Sequence, residues 1–439
     1  MKIILTICFS FLAVIAISAQ NKWYDTVSKQ ADAVEQEVIN WRRTFHQNPE
    51  LSNREFETAK HIEKYLKDLG LEVETGVAHT GVIGLLKGGK PGPVVGLRAD
   101  MDALPVTERV DLPFASKVKS TYLGAEVGVM HACGHDSHMA ILMGAAKILT
   151  AMKNEISGTI VFIFQPAEEG APLGEEGGAK LMVKEGIIDK YGIDVVFGLH
   201  ISSGLEAGSI RYKPGGTMAA SDQFIIKVKG KQTHGSRPWG GVDPIVTAAQ
   251  IIQGLQTIIS RQTELTKEAA VITVGKIQGG VRNNIIPEEV EMIGTIRTLD
   301  TSMQRIIHEK IRLTATKIAE STGATAEVEI IIGYPVTYND PVLTSTMIPT
   351  LMATAGEDNV RLYPASTGSE DFSFFAQEVP GFYFSLGGMP KGQNQYDAAP
   401  HHTPDFYIDE SGMKLGVKSM CNLALDYLHQ FGTGNKAGK

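Results

Sequence analysis

The residues of this chain with the clearest metal-binding chemistry lie between Met130 and His138, in the run MHACGHDSH. Imidazole nitrogens and cysteine thiolates are the preferred ligands of Zn²⁺ and similar divalent metals. Cys133 and His135 stand two positions apart, so an extended loop could direct both at one metal. Burying a polar cluster of this density is costly unless its members are paired or bound to a metal. The run therefore indicates a metal site, and a hydrogen-bonded loop that caps the following helix is the alternative.

Further candidate ligands and acids stand directly after apolar runs. Glu168 and Glu169 follow TIVFIFQPA, His200 ends VVFGLH, and VVGLRADMD contains Asp100 and Asp102. Open α/β sheets bind their ligands at the carboxyl ends of their strands. Consecutive side chains of an extended chain point in opposite directions, so we expect one glutamate to bind metal while its neighbour faces the substrate. One of the two aspartates would orient a ligand imidazole.

The elements that must position these residues indicate an α/β fold. Helical spacing predicts helices at Asp25–Phe45, at Arg54–Leu69 with Asn53 as N-cap, and at His138–Met152. Apolar runs between and after these helices predict buried strands of a largely parallel sheet that is covered on both faces. The runs are LEVET, VIGLL, VVGLRAD, TIVFIFQ and VVFGLH.

The pattern changes after about residue 215. DQFIIKVKG and EEVEMIGTIRT alternate polar and apolar residues, and they precede predicted helices at Asp243–Ser260 and Thr301–Ser321. Strand–helix–strand–strand–helix–strand is the order of a ferredoxin-like unit. We therefore expect a mainly parallel-sheet α/β catalytic domain over 20–214 and 331–439, with an inserted ferredoxin-like α+β domain over 215–330.

The chain start and the charge balance restrict where the protein acts and what it binds. Residues 1–19 have the layout of a secretory signal peptide, with one Lys, an apolar run to Ile17 and small residues at the end. This run is shorter than the roughly 20 apolar residues that a membrane span requires, so we expect cleavage, secretion or periplasmic export, and no membrane attachment afterwards. The 41 Lys and Arg against 49 Asp and Glu disfavour a nucleic-acid partner.

Several segments, taken in order, resemble the amidohydrolase branch of the co-catalytic metallopeptidases. That branch includes hippurate hydrolase, N-acyl-amino-acid amidohydrolases and the plant auxin-conjugate hydrolases. The resemblance covers nearly the whole chain after the signal peptide, and its most diagnostic feature is Cys133, where dipeptidase and deacetylase relatives carry an aspartate. The matching segments are RADMDALP, MHACGHDSH, QPAEEG, GLH, THGSRPWGGVDP, NNIIPEEVEMIGTIRT, GSEDFSFF and HHTPDFYIDE.

The resemblance implies a site for two divalent metals, and Zn²⁺, Mn²⁺, Co²⁺ and Ni²⁺ all accept such mixed ligands. Cys133 would bridge the metals, and the other ligands would be His135, Glu169, His200 and His402. His402 is preferred to His401 because the family's ligand stands two residues before a proline. His401 replaces the apolar residue that is usual in relatives, so the choice within this pair stays open.

The resemblance also implies catalytic and substrate-contacting residues. Glu168 would act as general base and acid, and Asp102 would orient the metal centre. His234 would stabilise the oxyanion from the inserted domain, which would close as a lid or form a homodimer. Asn284 would contact the substrate, and Arg297 is a candidate for binding its carboxylate. The run SRPWGG departs from the family's small residues and would alter specificity.

These features predict metal-dependent hydrolysis of the amide bond of N-acyl amino acids such as hippurate. Two cations would lower the pKa of water from about 15.7 toward roughly 7, giving hydroxide at neutral pH. A dipeptidase or carboxypeptidase with the same site and a short-peptide substrate is the alternative. A non-catalytic, metal-stabilised binding protein is a remote alternative, because neither Glu168 nor a ligand is missing. A bridging thiolate cannot also be oxidised, so Cys133 and Cys421 should be free thiols.

Overall fold

The computed structural model describes the backbone of residues 2–432 and the side chains of residues 23–432. The predicted signal peptide lies outside the described side chains. The second of two compact units interrupts the first. The first consists of Met1–Pro214, Asn339–Tyr363 and Phe374–Lys439, and the second of Gly215–Tyr338 and Pro364–Ser373. The second unit thus extends past residue 330, the predicted end of the insertion, because its last long strand continues to residue 334.

Helices and strands alternate in the first part of the chain. The helices are α1 (Lys2–Gln47), α2 (Phe56–Asp68), α3 (His135–Ala151), α4 (Gly178–Lys184) and α5 (Ile187–Tyr191). The strands are β1 (Glu72–Val77), β2 (Gly81–Lys87), β3 (Lys90–Asp100), β4 (Lys119–Tyr122), β5 (Ala125–Gly128), β6 (Ser157–Gln165), β7 (Val195–Glu206) and β8 (Ile210–Tyr212).

The second unit follows, and the chain then returns to the first. Strands of the middle part are β9 (Gly215–Met218), β10 (Ala220–Lys229), β11 (Thr233–His234), β12 (Ala270–Gly279), β13 (Ile285–Ile286), β14 (Glu289–Thr298), β15 (Thr325–Tyr334) and β16 (Thr337–Asn339). Its helices are α6 (Pro244–Gln262) and α7 (Thr301–Ser321). The last part contains α8 (Pro341–Ala355), β17 (Val360–Leu362), α9 (Phe372–Glu378), β18 (Gly381–Met389) and α10 (Met413–Phe431).

The first unit is built on an eight-stranded sheet in the order β1-β2-β6-β3-β7-β18-β8-β17. Its four central strands, β6, β3, β7 and β18, are parallel, which confirms the predicted mainly parallel α/β fold. Asp100 pairs with Gln165, so β3 and β6 end at the same level of the sheet. Helices α3 and α10 pack against β3 and β7, and α1 packs against both helices. The sheet therefore carries polar residues to one edge of a buried apolar core.

Three predicted helix starts are wrong. Helix α1 begins at Lys2 and not at Asp25, and the other two are those of α2 and α3. Helix α2 begins at Phe56 with Glu55 as its N-cap, whereas Asn53 has a φ of 58°, outside the extended region of an N-cap residue. Helix α3 begins at His135, three residues before the predicted start. Gly134, with a φ of 97°, permits this early start, and a Cβ atom there would lie 2.4 Å from Ile201.

The second unit has the predicted ferredoxin-like order. Its four-stranded sheet runs β12-β14-β10-β15, and all three neighbouring pairs are antiparallel. Helices α6 and α7 pack on this sheet, and alternate residues of the strands fill a separate apolar core with them. Asp243 caps α6 by accepting hydrogen bonds from the backbone N–H groups of Ile245 and Val246. Among the described residues, no helix combines the length and apolarity needed to cross a bilayer.

Candidate metal centre

Three distant segments converge on the sulfur of Cys133. Its Sγ lies 3.3 Å from Nε2 of His200, which lies within β7 and not at its predicted end, and 3.3 Å from Nε2 of His402 in a C-terminal loop. The same His402 nitrogen lies 3.1 Å from Oε1 of Glu169, which follows β6. Cys133, Glu169 and His402 thus form a compact donor cluster, and Cys133 also belongs to a second cluster with His200.

His135 presents an unpaired nitrogen to this cluster. Its Nδ1 lies 2.8 Å from the backbone oxygen of Asp102, and since a carbonyl only accepts, Nδ1 must carry the proton. In the neutral ring the lone pair is therefore on Nε2, which is buried without a hydrogen-bond partner among the described residues. That nitrogen lies 3.8 Å from Oε2 of Glu168 and 3.9 Å from Oε1 of Glu169. A buried imidazole lone pair between carboxylates fits a metal ion.

His200 has the same tautomer for the same reason. Its Nδ1 donates to the backbone oxygen of Ile201 at 2.6 Å, so the lone pair of Nε2 faces Cys133. Burial, with His138 and His401 nearby, lowers the pKa of His200 well below its usual value. A neutral imidazole with Nε2 available is the form that binds a metal.

Two neighbouring histidines have no such lone pair. His138 donates from Nδ1 to Asp100 (2.6 Å), and its Nε2 accepts from the backbone N–H of Ile201 (2.8 Å). His401 donates from Nδ1 to the backbone oxygen of Cys133 (3.2 Å), and its Nε2 accepts from the N–H of Ser203 (3.2 Å). Both ring nitrogens are occupied in each case. Hydrogen bonding thus separates these two side chains from His135 and His200, although all four belong to groups of closely spaced possible ligands.

Glu168 and Glu169 do not point in opposite directions as expected from an extended strand. They lie in a turn after β6 and follow Ala167, which has a φ of 52°. The turn brings a carboxylate oxygen of each to within 4 Å of His135. The pattern of alternating side chains therefore ends with the strand, and both acids face the candidate metal site.

The side chain of Asp102 holds the turn through the backbone N–H groups of Glu168 and Glu169. Its Oδ1 accepts from the N–H of Glu168 and its Oδ2 from the N–H of Glu169, each at 3.0 Å. Ser52, which the sequence did not single out, donates to Oδ2 at 2.7 Å. Asp102 is fully buried, and His135 and Ser52 keep its pKa low despite that burial.

The site is anionic in the absence of metal. Burial, followed by Glu169 and Glu168, raises the pKa of the Cys133 thiol well above its usual value. Burial opposes a charge on His135, but Asp100 and Asp102 raise its pKa to about 10. Such carboxylate-rich surroundings favour bound cations, which would also stabilise the Cys133 thiolate. The donor set of one thiolate, three imidazoles and carboxylates therefore fits divalent metals.

A buried ionic network holds Asp136, which follows His135 in the candidate metal-binding segment. Asp136, next to His135, lies 2.8 Å from Nε of Arg42 and 2.8 Å from Nδ1 of His46. Nε2 of His46 lies 3.1 Å from Glu108. Arg42 and His46 keep the pKa of Asp136 well below its usual value despite its burial. Arg42 and His46 lie on α1, and the network was missed because they occupy ordinary polar positions of an amphipathic helix.

The remaining predicted residues lie in the second unit. His234 in β11 pairs with β13, and the backbone N–H of Gly235 donates to the backbone oxygen of Asn284 at 2.8 Å. Nδ1 of His234 accepts from the N–H of Ser236 at 3.0 Å, so in the neutral ring Nε2 carries the proton. Arg297 lies on β14 and donates to the hydroxyl of Ser369 at 3.2 Å. The structure thus brings His234 and Asn284 together, with Arg297 on the four-stranded sheet.

Both cysteines of the described residues are free and buried. Cys133 lies in the donor cluster, whereas Cys421 in α10 lies 3.9 Å from the backbone oxygen of Ala145.

Residues 96–426 match the model of peptidase family M20/M25/M40. The chain belongs to this family. Among curated relatives, it is 42% identical to thermostable carboxypeptidase 2 of Saccharolobus solfataricus, over 90% of this chain and 96% of that protein. It is 37% identical to an N-acetylcysteine deacetylase of Bacillus subtilis, over 88% of this chain and 96% of that protein. The predicted family and enzyme class are confirmed, and the chain is a metal-dependent hydrolase of the amidohydrolase and peptidase type.

Solved structures of the family support the same conclusion. A Bacillus subtilis protein described as a dinuclear metal binding peptidase from the M20 family is 35% identical to this chain. The two structures superpose with a TM-score of 0.75, over 91% of this chain and 99% of that one. In this chain, two groups of possible metal ligands share Cys133, one with Glu169 and His402 and the other with His200 and His401.

Proposed function

We propose that the protein hydrolyses the amide bond between an acyl group and an amino acid with a free carboxylate. The carrying observation is the convergence of Cys133, His135 and His200, in which Nδ1 of each histidine donates to a backbone carbonyl and leaves Nε2 as the ligand atom. We assign Cys133 as the bridging ligand, with His135, Glu169, His200 and His402 completing the site for two divalent metals. Zn²⁺, Mn²⁺, Co²⁺ and Ni²⁺ are the candidates from this donor set.

The chemistry that the metals supply when bound is Lewis-acid polarisation of the amide and acidification of water. Glu168 takes a proton from the water and returns it to the leaving amine. Its position supports this role, because Oε2 lies 3.8 Å from the ligand atom of His135 while Asp102 fixes its backbone. Asp102 also fixes the backbone of Glu169, which would serve as a metal ligand and not as the proton carrier.

The second unit supplies the other contacts of the proposal. His234, as the tautomer with a proton on Nε2, can donate to the oxyanion of the tetrahedral intermediate, a contact typically worth about 3–4 kcal/mol. Asn284 contacts the substrate, and Arg297 pairs with its carboxylate. In this proposal His234 reaches the metal site either when the second unit closes as a lid or from the second chain of a homodimer.

A carboxypeptidase is the second candidate. The similarity to a thermostable carboxypeptidase favours it, and its substrate would also present an amide beside a free carboxylate. The two functions differ in the acyl group, which is an aminoacyl residue for the peptidase. The similarity to an N-acetylcysteine deacetylase favours simple acyl groups.

Export belongs to the proposal as well. The composition of residues 1–19 supports a cleaved signal peptide and a secreted or periplasmic enzyme. The mass of the amino-terminal peptide of the mature protein, purified from the periplasm and the medium, tests the cleavage site after Ala19.

A substrate panel with metal reconstitution tests the proposed function. The metal-free protein is loaded with each candidate metal and assayed on N-acetyl, N-benzoyl and indole-acetyl amino acids and on dipeptides. We expect the N-acyl amino acids to give the highest kcat/KM. Glu168→Gln should retain two metals per chain and lower kcat about 10²- to 10⁴-fold, the usual contribution of general acid–base catalysis. Preference for dipeptides would select the carboxypeptidase, and an active Glu168→Gln would exclude the proton-transfer role.

A further inference from the structure

Glu55 is a fully buried carboxylate outside the roles assigned above. Its Oε1 accepts a hydrogen bond from the backbone N–H of Ala167 at 2.9 Å, and its Oε2 accepts one from the hydroxyl of Thr80 at 2.6 Å. Its backbone carbonyl accepts the hydrogen bond from Ala59 at the start of α2. Glu55 thus connects the beginning of a helix to the residue directly before Glu168.

The turn at Glu168 presents successive backbone N–H groups, and carboxylates bind each of them. The N–H of Ala167 donates to Glu55, while those of Glu168 and Glu169 donate to Asp102. Successive N–H groups around a left-handed residue form a concave site for anions, and Ala167 has a φ of 52°. Two buried carboxylates from different segments therefore determine the conformation of this turn.

Unfavourable backbone conformations collect around the same carboxylate. Asn53 (58°), Ala78 (47°), His79 (79°) and Ala167 (52°) are four of the six non-glycine residues described with a positive φ. They belong to the three segments that meet at Glu55. Such conformations persist only where surrounding contacts impose them, and they concentrate at functional sites. The segments are therefore held in place at an energetic cost.

We propose that Glu55 is a positioning residue that acts through the N–H of Ala167 to orient the carboxylates of Glu168 and Glu169. The inference rests on the proposed function, since it takes proton transfer by Glu168 as the step that needs orientation. Orientation matters because a displacement of about 1 Å at a reacting group can lower the rate about a hundredfold.

Glutamine can replace Glu55 and keep both of its side-chain hydrogen bonds. Burial and the nearby Asp102 raise the pKa of Glu55 to about 8. The hydroxyl of Thr80 can donate to a carboxylate or accept from an acid. In Glu55→Gln the amide oxygen accepts from Ala167 and the amide nitrogen donates to Thr80. Glu55→Ala, in contrast, leaves the N–H of Ala167 without its acceptor.

Kinetics of the metal-loaded enzyme give the first test. We expect Glu55→Ala to lower kcat and kcat/KM together by about 10- to 100-fold, as when a partner supporting a metal site is lost. Glu55→Gln should restore kcat to within about threefold of wild type. Asp426→Ala is the matched control, because it removes another buried carboxylate of the first unit, which accepts from Trp23 and Thr350. It should lower stability without changing kcat.

Hydrogen exchange of the metal-free protein gives a readout that does not depend on activity. The peptide covering residues 165–170 should exchange at least about tenfold faster in Glu55→Ala than in wild type, Glu55→Gln or Asp426→Ala. Unchanged exchange and unchanged kcat in a folded Glu55→Ala protein would overturn the proposal. Equal losses of kcat in Asp426→Ala would also overturn it, since they would reflect stability alone.

A second variant covers a failure of Glu55→Ala to fold. Thr80→Val removes the hydroxyl that fixes the other oxygen of Glu55, and it should lower kcat about two- to tenfold. An unchanged kcat in Thr80→Val would then count against the proposal. If the wild-type enzyme hydrolyses no N-acyl amino acid, the proposed function fails, while the exchange measurements still decide whether Glu55 orders the turn.

Discussion

Histidines of the first unit near Cys133 and His234 of the second unit carry their protons on opposite nitrogens. His135 and His200 donate from Nδ1 to backbone carbonyls, so in the neutral ring Nε2 holds the lone pair. His234 accepts at Nδ1 from the N–H of Ser236, so Nε2 holds the proton. The first arrangement suits a metal ligand and the second suits a donor to an oxyanion. The position of the proton therefore depends on whether the backbone group beside Nδ1 is a carbonyl, which accepts, or an N–H, which donates.

Burial separates the two regions as well. His135 is inaccessible to solvent, and an unpaired nitrogen there is costly unless a metal binds it. His234 is exposed at the end of β11, and the next residue, Gly235, lies close to Asn284. The metal region is therefore organised before its ligand arrives, whereas the orientation of His234 is set locally by Ser236.

The largest expected effect tests the hydrogen-bond criterion within one histidine pair. His402→Gln should lose metal on dialysis and reduce kcat to about 1% of wild type or less, because a ligand is removed. His401→Gln should keep two metals per chain, since an amide can still donate to Cys133 and accept from Ser203. Its metal affinity should fall at most about 10- to 100-fold. Metal analysis by mass spectrometry distinguishes the two variants. Loss of metal from His401→Gln with retention in His402→Gln would contradict the comparison.

The next largest effect concerns His234, the proposed hydrogen-bond donor to the oxyanion. His234→Ala should lower kcat about 10²- to 10³-fold without changing metal content, because the contact is made in the transition state. His234→Gln keeps an N–H donor and should recover part of that loss. His308→Ala, in the same unit and hydrogen-bonded to Asp222, is the control with wild-type kcat. A wild-type kcat in His234→Ala would remove the donor role.

The smallest effect tests how the metal region is organised without metal. Burial opposes a charge on His46, but hydrogen bonds to Asp136 and Glu108 raise its pKa. Its contribution to stability is therefore complete below the unfolded pKa of about 6.5 and is lost as pH rises through the folded value. Urea unfolding of the metal-free protein should show His46→Gln destabilised by about 1.5–3 kcal/mol at pH 6, with a smaller difference at higher pH.

His61 provides a control of opposite sign. Burial and Lys64 lower its pKa, so the stability that His61 contributes relative to His61→Gln should fall as pH decreases below about 6.5. The same pH trend in both variants would mean that His46 does not act through its charge.

Local patterns predicted much of the framework. Apolar runs located β3, β6 and β7 and placed Asp100 and Glu168 at or just beyond the ends of their strands, whereas β7 continues past His200 to Glu206. Alternating residues and helical spacing predicted the ferredoxin-like unit, because each strand there has one buried face. Glu55 escaped notice, since an acidic residue at the start of a predicted helix is common and its partners at Thr80 and Ala167 are distant in sequence.

The sequence by itself determined the residue types, their order and the elements that carry them, because hydrophobic period and metal-ligand chemistry are local properties. Only the tertiary structure decided which histidines have a free lone pair. In His138 and His401 the second ring nitrogen accepts instead from the N–H groups of Ile201 and Ser203, which lie on a strand distant in sequence. The direction of Glu168 and Glu169 likewise depends on Glu55 and Asp102. A tautomer or a turn is set by whichever group donates or accepts nearby, and that neighbour exists only after folding.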